Sequence, residues 1–192
     1  MMVLQPQQIA CQQVLQEDNS VFSIQWIDLP IELCAGMTPR RLLDIYMQAI
    51  KRMTLGIIQP EERTTGVDFL LLGKFPLLCF LPPVPETGGL ALRICGGLLV
   101  QRDQCDRGEL LFQCQNLENG AIRVSLRLSD YCPLLLGSQT PSVLRRWLYR
   151  LTQAAVHRLV TVRFLAVLYR RLGGKASKVK RVRVKVVEGR RT

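Results

Sequence analysis

A single histidine, His157, serves a chain of 192 residues. The usual stock of metal ligands and of general bases working near neutral pH is therefore almost empty. Seven cysteines, at 11, 34, 79, 95, 105, 114 and 132, are scattered, odd in number and free of any CxxC pair. That spacing fits neither a disulfide framework nor a zinc site, and the cysteines read as reduced thiols acting mostly as small hydrophobes. There is no GxSxG and no HExxH. The glycine pairs at 88–89 and 96–97 lead into neither a Gly-Lys-Ser/Thr sequence nor a helix, so they are turns rather than a phosphate cradle. Glu61 and Glu62 fall in a polar stretch where solvation accounts for them. With no catalytic constellation, the expectation is a non-enzymatic protein that uses neither a metal nor a cofactor.

Leader and membrane signals are missing too. Residues 1–20 are Gln-rich, without a basic start or an apolar stretch behind it. The longest nearly apolar run, 159–169, is about half the ~20 residues a membrane span needs, and Arg163 interrupts it. A soluble, cytoplasmic protein is expected.

What is present is a globular composition, 48% hydrophobic and 21% charged, in a length suited to one core. The net charge of +11 is unevenly spread. Residues 173–192 hold eight Lys/Arg against one Glu, which leaves only +4 for the rest. The expected organisation is a flexible Gln-rich arm over 1–19, one α+β domain over 20–174 and a basic tail over 175–192.

Along the chain, residues 21–26 alternate, with Phe22, Ile24 and Trp26 on one side and Ser23 and Gln25 on the other, the mark of a half-buried strand. Thr38-Pro39 is an N-cap followed by proline at the first helical position. Leu42, Leu43, Tyr46, Ile50 and Met53 follow at helical spacing. Residues 60–66 read as a loop. From there to Cys132 the pattern is β: runs at 67–72, 75–81, 89–95, 98–103, 109–117 and 121–131, separated by turn signals. Asn119-Gly120 is the strongest hairpin signal, since both residues tolerate positive φ. Ile122, Val124, Leu126 and Leu128 alternate with Arg123, Ser125, Arg127 and Ser129, as in an antiparallel sheet covered on one face.

Residues 140–174 hold the longest element. Thr140-Pro141 opens it, Gly173-Gly174 closes it, and no Gly or Pro lies between, room for a helix of roughly 48 Å. Leu144, Leu148, Leu151, Ala155, Leu159, Val162, Ala166 and Tyr169 form an apolar stripe, with Arg146, Arg150, Gln153, His157 and Thr161 opposite. Val156, Val160, Phe164 and Val167 make a second stripe, which predicts either deep burial or a homodimer through this helix.

Strand, helix, about six further strands and a long C-terminal helix: in this order of elements, from 21 to 172, the chain resembles the helix-grip proteins, the START and polyketide-cyclase-like (SRPBCC) superfamily. The resemblance rests on pattern alone, without a diagnostic motif. It implies a curved antiparallel sheet of about seven strands packed on one long C-terminal helix, with an apolar cavity between them. Members bind lipids, sterols or polyketides, and a minority catalyse reactions on them. The residues expected to line such a cavity are Tyr46, Ile50, Phe112, Val124, Leu126, Trp147, Leu151 and His157. The same residue types also make plain core, and His157 better suits a solvated or capping position on the exposed helix stripe with Arg146 and Arg150. The expected function is non-catalytic binding of a hydrophobic small molecule or lipid. The tail residues Lys175, Lys178, Lys180, Arg181, Arg183 and Lys185 would attract an anionic membrane surface or nucleic acid. Alternating with valine, they also suit an extra edge strand. The other function considered is a nucleic-acid-associated adaptor using this tail together with Arg93, Arg123 and Arg127.

Overall fold

The computed structural model describes residues 7–101, 106–134, 155–173 and 179–191. The order is β1 (Gln7–Leu15), β2 (Val21–Pro30), a 3-10 turn (Ile31–Cys34), α1 (Pro39–Met53), β3 (Ile58–Arg63), β4 (Gly66–Leu71), β5 (Phe75–Phe80), β6 (Val84–Glu86), β7 (Gly89–Gly96), β8 (Glu109–Asn116), β9 (Ala121–Tyr131), α2 (Ala155–Gly173), β10 (Val179–Arg183) and β11 (Arg190–Arg191). The strands join in one open sheet, β10-β1-β2-β9-β8-β7-β5-β4-β3, with β6 beside β7 and β11 beside β1. Every pairing is antiparallel except β1 with β10, so the sheet is mixed. The class is α+β, and eleven strands exceed the expected seven.

Helix α1 forms as its residues require. Thr38 Oγ1 accepts from the Arg41 N–H at 3.1 Å, Pro39 takes a position whose N–H would be orphaned, and Leu42, Leu43, Tyr46, Ala49 and Ile50 are buried. It packs against β3, β7 and β8, while α2 packs against β1, β2 and α1. Both helices therefore cover one face of the sheet, the inner one. Tyr46 is central there, its ring edge-on to Phe164 of α2 (5.0 Å between centroids) and to Phe112 of β8 (5.3 Å). Phe69 and Phe80 extend the cluster.

Several expectations are corrected. Residues 7–15, expected in a flexible arm, are strand β1 inside the sheet. Their sequence QQIACQQVL does not alternate, because nearly all of it is buried on both faces. Residues 179–183 of the expected tail are strand β10, as the valine alternation allowed. Residues 58–63, mostly expected in a loop, are edge strand β3, with Pro60 in a position only an edge tolerates. The 82–88 loop contains β6. Of the run expected at 98–103, residues 98–101 form no strand: Leu98 and Leu99 turn back onto β5, Val100 makes an isolated bridge to Pro133, and 102 and 103 lie outside the described residues.

Strand β2 faces the opposite way from its local pattern. Val21, Ser23, Gln25, Ile27 and Leu29 point inward, and Phe22, Ile24 and Trp26 lie half-buried on the outer face. Trp26 is held there beneath the Arg123 guanidinium, 5.1 Å from the ring centroid. Arg123 in turn grips both oxygens of Asp28 at 2.7 and 2.8 Å. Because strand parity is two, inverting one residue inverts all of them.

Helix α2 is also turned from the expected stripe, by about one residue or ~100°. Thr161, Phe164, Leu165, Leu168 and Tyr169 are buried, and Leu159 is 62% exposed. Phe164, assigned from sequence to the second stripe, packs on Tyr46 inside the molecule. No described helix is long and apolar enough to cross a membrane. The first part of the expected 140–174 helix, with Leu144, Arg146, Trp147, Leu148, Arg150, Leu151 and Gln153, lies outside the described residues.

Candidate functional site

The inward parity of β2 places polar side chains where a sheet of this kind has its core. Register sets Gln13 of β1 beside Ser23, Cys11 beside Gln25, Gln25 beside Leu126 and Ser23 beside Leu128. Ser23 and Gln25 are buried to 0% and 1% exposure, and Gln13 to 9%. Gln25 Nε2 donates to Ser23 Oγ at 2.7 Å. Among the described residues, Gln25 Oε1 and both amide atoms of Gln13 have no hydrogen-bond partner. Each such orphan costs about 1–3 kcal/mol of stability, which is why buried amides are normally paired. Here three orphan atoms sit together on adjacent strands, bordered by Ile9, Ile27, Leu126 and Leu128, on the face that α2 covers. Two primary amides offer donors and acceptors at once, so they suit a carboxyl, amide or hydroxyl group attached to an apolar body.

Of the expected cavity residues, Tyr46, Ile50, Phe112, Val124 and Leu126 are all buried. Tyr46 and Phe112 touch each other, and Leu126 pairs with both Phe112 and Gln25 across the sheet. Burial pushes the Tyr46 phenol far above its ordinary range, and its hydrogen bond with buried Thr161 only partly offsets that. Trp147 and Leu151 fall outside the described residues, and His157 is placed only as a backbone position in α2. Gln13 is not legible because residues 1–19 read as an arm, and Ser23 and Gln25 are not because residues 21–26 taken alone favour Phe22, Ile24 and Trp26 as the inward set. For Ser23 and Gln25 the revealing signal is the continuation of the strand, where Val21, Ile27 and Leu29 share their parity.

Lys180, Arg181 and Arg183 are exposed along β10, and exposed Lys185 pairs with Glu188 at 2.6 Å. Lys175 and Lys178 lie outside the described residues. On the outer sheet face Arg123 is bound to Asp28, and Arg127 lies 3.6 Å from Glu109, so carboxylates balance two of the three arginines expected there. Arg93 is exposed. Among the described residues no group of His, Cys, Asp and Glu could hold a metal ion.

No protein-family model matches the sequence, and no curated protein matches it. Among solved structures it is similar to CalU16 from Micromonospora echinospora. Against the crystal structure the identity is 14%, with 88% of this chain and 91% of that one covered and a TM-score of 0.39. Against the solution NMR structure the identity is again 14%, covering 91% and 81%, with a TM-score of 0.40.

Proposed function

We propose that the protein binds an apolar small molecule or lipid with a polar head, the head seated on Gln13, Ser23 and Gln25 and the body between the sheet and its helices. The carrying observation is the set of three amide atoms on the inner face that have no partner among the described residues. A sequence selected for stability alone would place Leu or Ile at positions 13 and 25, as at 9, 27, 126 and 128. Polar groups that destabilise the empty protein become useful when a ligand satisfies them, because the protein then discriminates strongly against molecules lacking the matching group. No metal, nucleophile or general base enters this reading. It is also the kind of binding that the helix-grip resemblance implies.

Native mass spectrometry of the purified protein tests it. A stoichiometric apolar adduct is expected, absent from Gln13→Met, which keeps side-chain length and removes both orphan atoms. The adduct-free variant should also melt several degrees above the adduct-free parent, from about 1–3 kcal/mol relieved at roughly 2–4 °C per kcal/mol. A variant that melts lower would mean the amide is structural, and the site would fail. If no adduct appears and nucleic acid co-purifies until high salt is applied, the exposed row of Lys180, Arg181 and Arg183 becomes the better reading.

A further inference from the structure

Four described residues other than glycine have positive φ. Two are Asn19 and Asp130, residue types that enter the left-handed region readily. The other two are leucines, Leu55 and Leu72, both at φ 52°. Leu55 lies just beyond the C-terminus of α1, where glycine or asparagine normally makes the left-handed turn, and Leu72 lies in the β4–β5 turn. The backbone holds them together, since the Leu72 N–H donates to the Ile57 carbonyl at 2.8 Å.

Neither leucine gains burial in return for its backbone cost. Leu55 is 91% exposed and Leu72 60%, and Ile57 and Phe75 beside them are about half exposed. Leu98, also half exposed, joins the same end of the sheet through its N–H, which donates to the Pro76 carbonyl at 2.8 Å. Five large apolar side chains thus crown one tip of the molecule. The three segments that build it, 51–60, 71–81 and 96–101, contain Lys51, Arg52 and Lys74 and no carboxylate. All three cations are exposed and stand in no ion pair among the described residues. The nearest acids on this hairpin, Glu61 and Asp68, face each other three residue pairs further along the β3–β4 ladder, roughly 10 Å away.

From this juxtaposition we infer that the tip formed by Leu55, Ile57, Leu72, Phe75 and Leu98 docks into the surface of an anionic lipid bilayer, with Lys51, Arg52 and Lys74 against the head groups. An apolar point flanked by cations that form no ion pair among the described residues is complementary to a layer that is negative outside and hydrocarbon within. The surface is separate from the buried amides, and its test involves no ligand there.

Co-sedimentation with phosphatidylcholine vesicles, with and without phosphatidylserine, measures it. The parent protein should sediment with the anionic vesicles and far less with the neutral ones. Leu55→Asn with Leu72→Asn should weaken this about tenfold or more while leaving the melting temperature equal or higher, since asparagine tolerates the left-handed turn. Lys51→Gln with Lys74→Gln should weaken it about tenfold and flatten its salt dependence. Phe75→Trp should add an emission component that shifts to the blue on anionic vesicles. A parent protein that stays in the supernatant overturns the proposal, as does an asparagine variant that sediments like the parent. Sedimentation with no blue shift from Phe75→Trp also overturns it, by placing the contact elsewhere, such as on β10.

Discussion

Asp18, in the turn between β1 and β2, shows how much one side chain's surroundings alter its chemistry. Burial alone would raise its carboxyl, but hydrogen bonds from the Ser20 hydroxyl, Arg107 and the Ser20 N–H outweigh that and hold it at about 2. A folded value below the unfolded one means that the ionised carboxylate stabilises the fold above about pH 4. That contribution is lost as pH falls from about 4 through about 2. Asp18→Asn should therefore melt below the parent at neutral pH, with the gap closing over that window. A gap that stays constant down to pH 2 would mean that charge at this position does not matter. Single residues elsewhere were less legible. Trp26 is the largest apolar side chain of its strand, and sequence reading sent it inward. A guanidinium on the neighbouring strand gives it a cation–π contact outside instead, and no reading of β2 alone could supply that partner.

At the scale of elements, legibility followed how local the determining interactions are. Helix α1 was readable to the residue, because its cap, its proline and its stripe all lie within one segment. The β8–β9 hairpin was equally plain, with Gly120 at φ 73° where Asn119-Gly120 announced a turn. Strand β1 was not. Its outer face is covered by the C-terminal segment, from which the Val186 and Val187 N–H groups donate to Gln12 Oε1 at 2.6 and 3.0 Å. Gln12 Nε2 donates back to the Val187 carbonyl. A Cβ on Gly189 would sit 3.0 Å from the Val14 side chain, so the chain lies tightly over the strand there. Gln12 thus joins parts of the sequence some 175 residues apart, a partnership no window reveals. Gln12→Ala should cost about 1–3 kcal/mol in thermal or urea unfolding. It should also release the Val186 and Val187 amides to fast hydrogen exchange. Unchanged protection at both would show that β10 alone secures the segment.

For the molecule as a whole, the basic end is part of the sheet rather than an appendage. Because β10 pairs along β1 from Gln7↔Val179 to Cys11↔Arg183, removing residues 179–191 would bare a buried strand's edge. The truncated chain should melt lower and elute as aggregate in size-exclusion chromatography, whereas Lys180→Gln, Arg181→Gln and Arg183→Gln together should remain folded at the parent's size. A truncated chain as stable as its parent would return these residues to the status of a tail. The α+β class, the capped α1, the single-faced β9 and the scarcity of metal and catalytic groups were determined by the sequence alone. Each depends on residue types, or on patterns repeating within a few positions. Tertiary structure alone decided which face of β2 turns inward, how α2 is rotated, and that the two ends of the chain pair. It also decided that orphaned amides gather beneath a helix while leucines crown an exposed tip. These outcomes depend on partners distant in sequence, since a half-buried strand or an all-round apolar helix has two nearly equal ways to face until the rest of the chain packs against it.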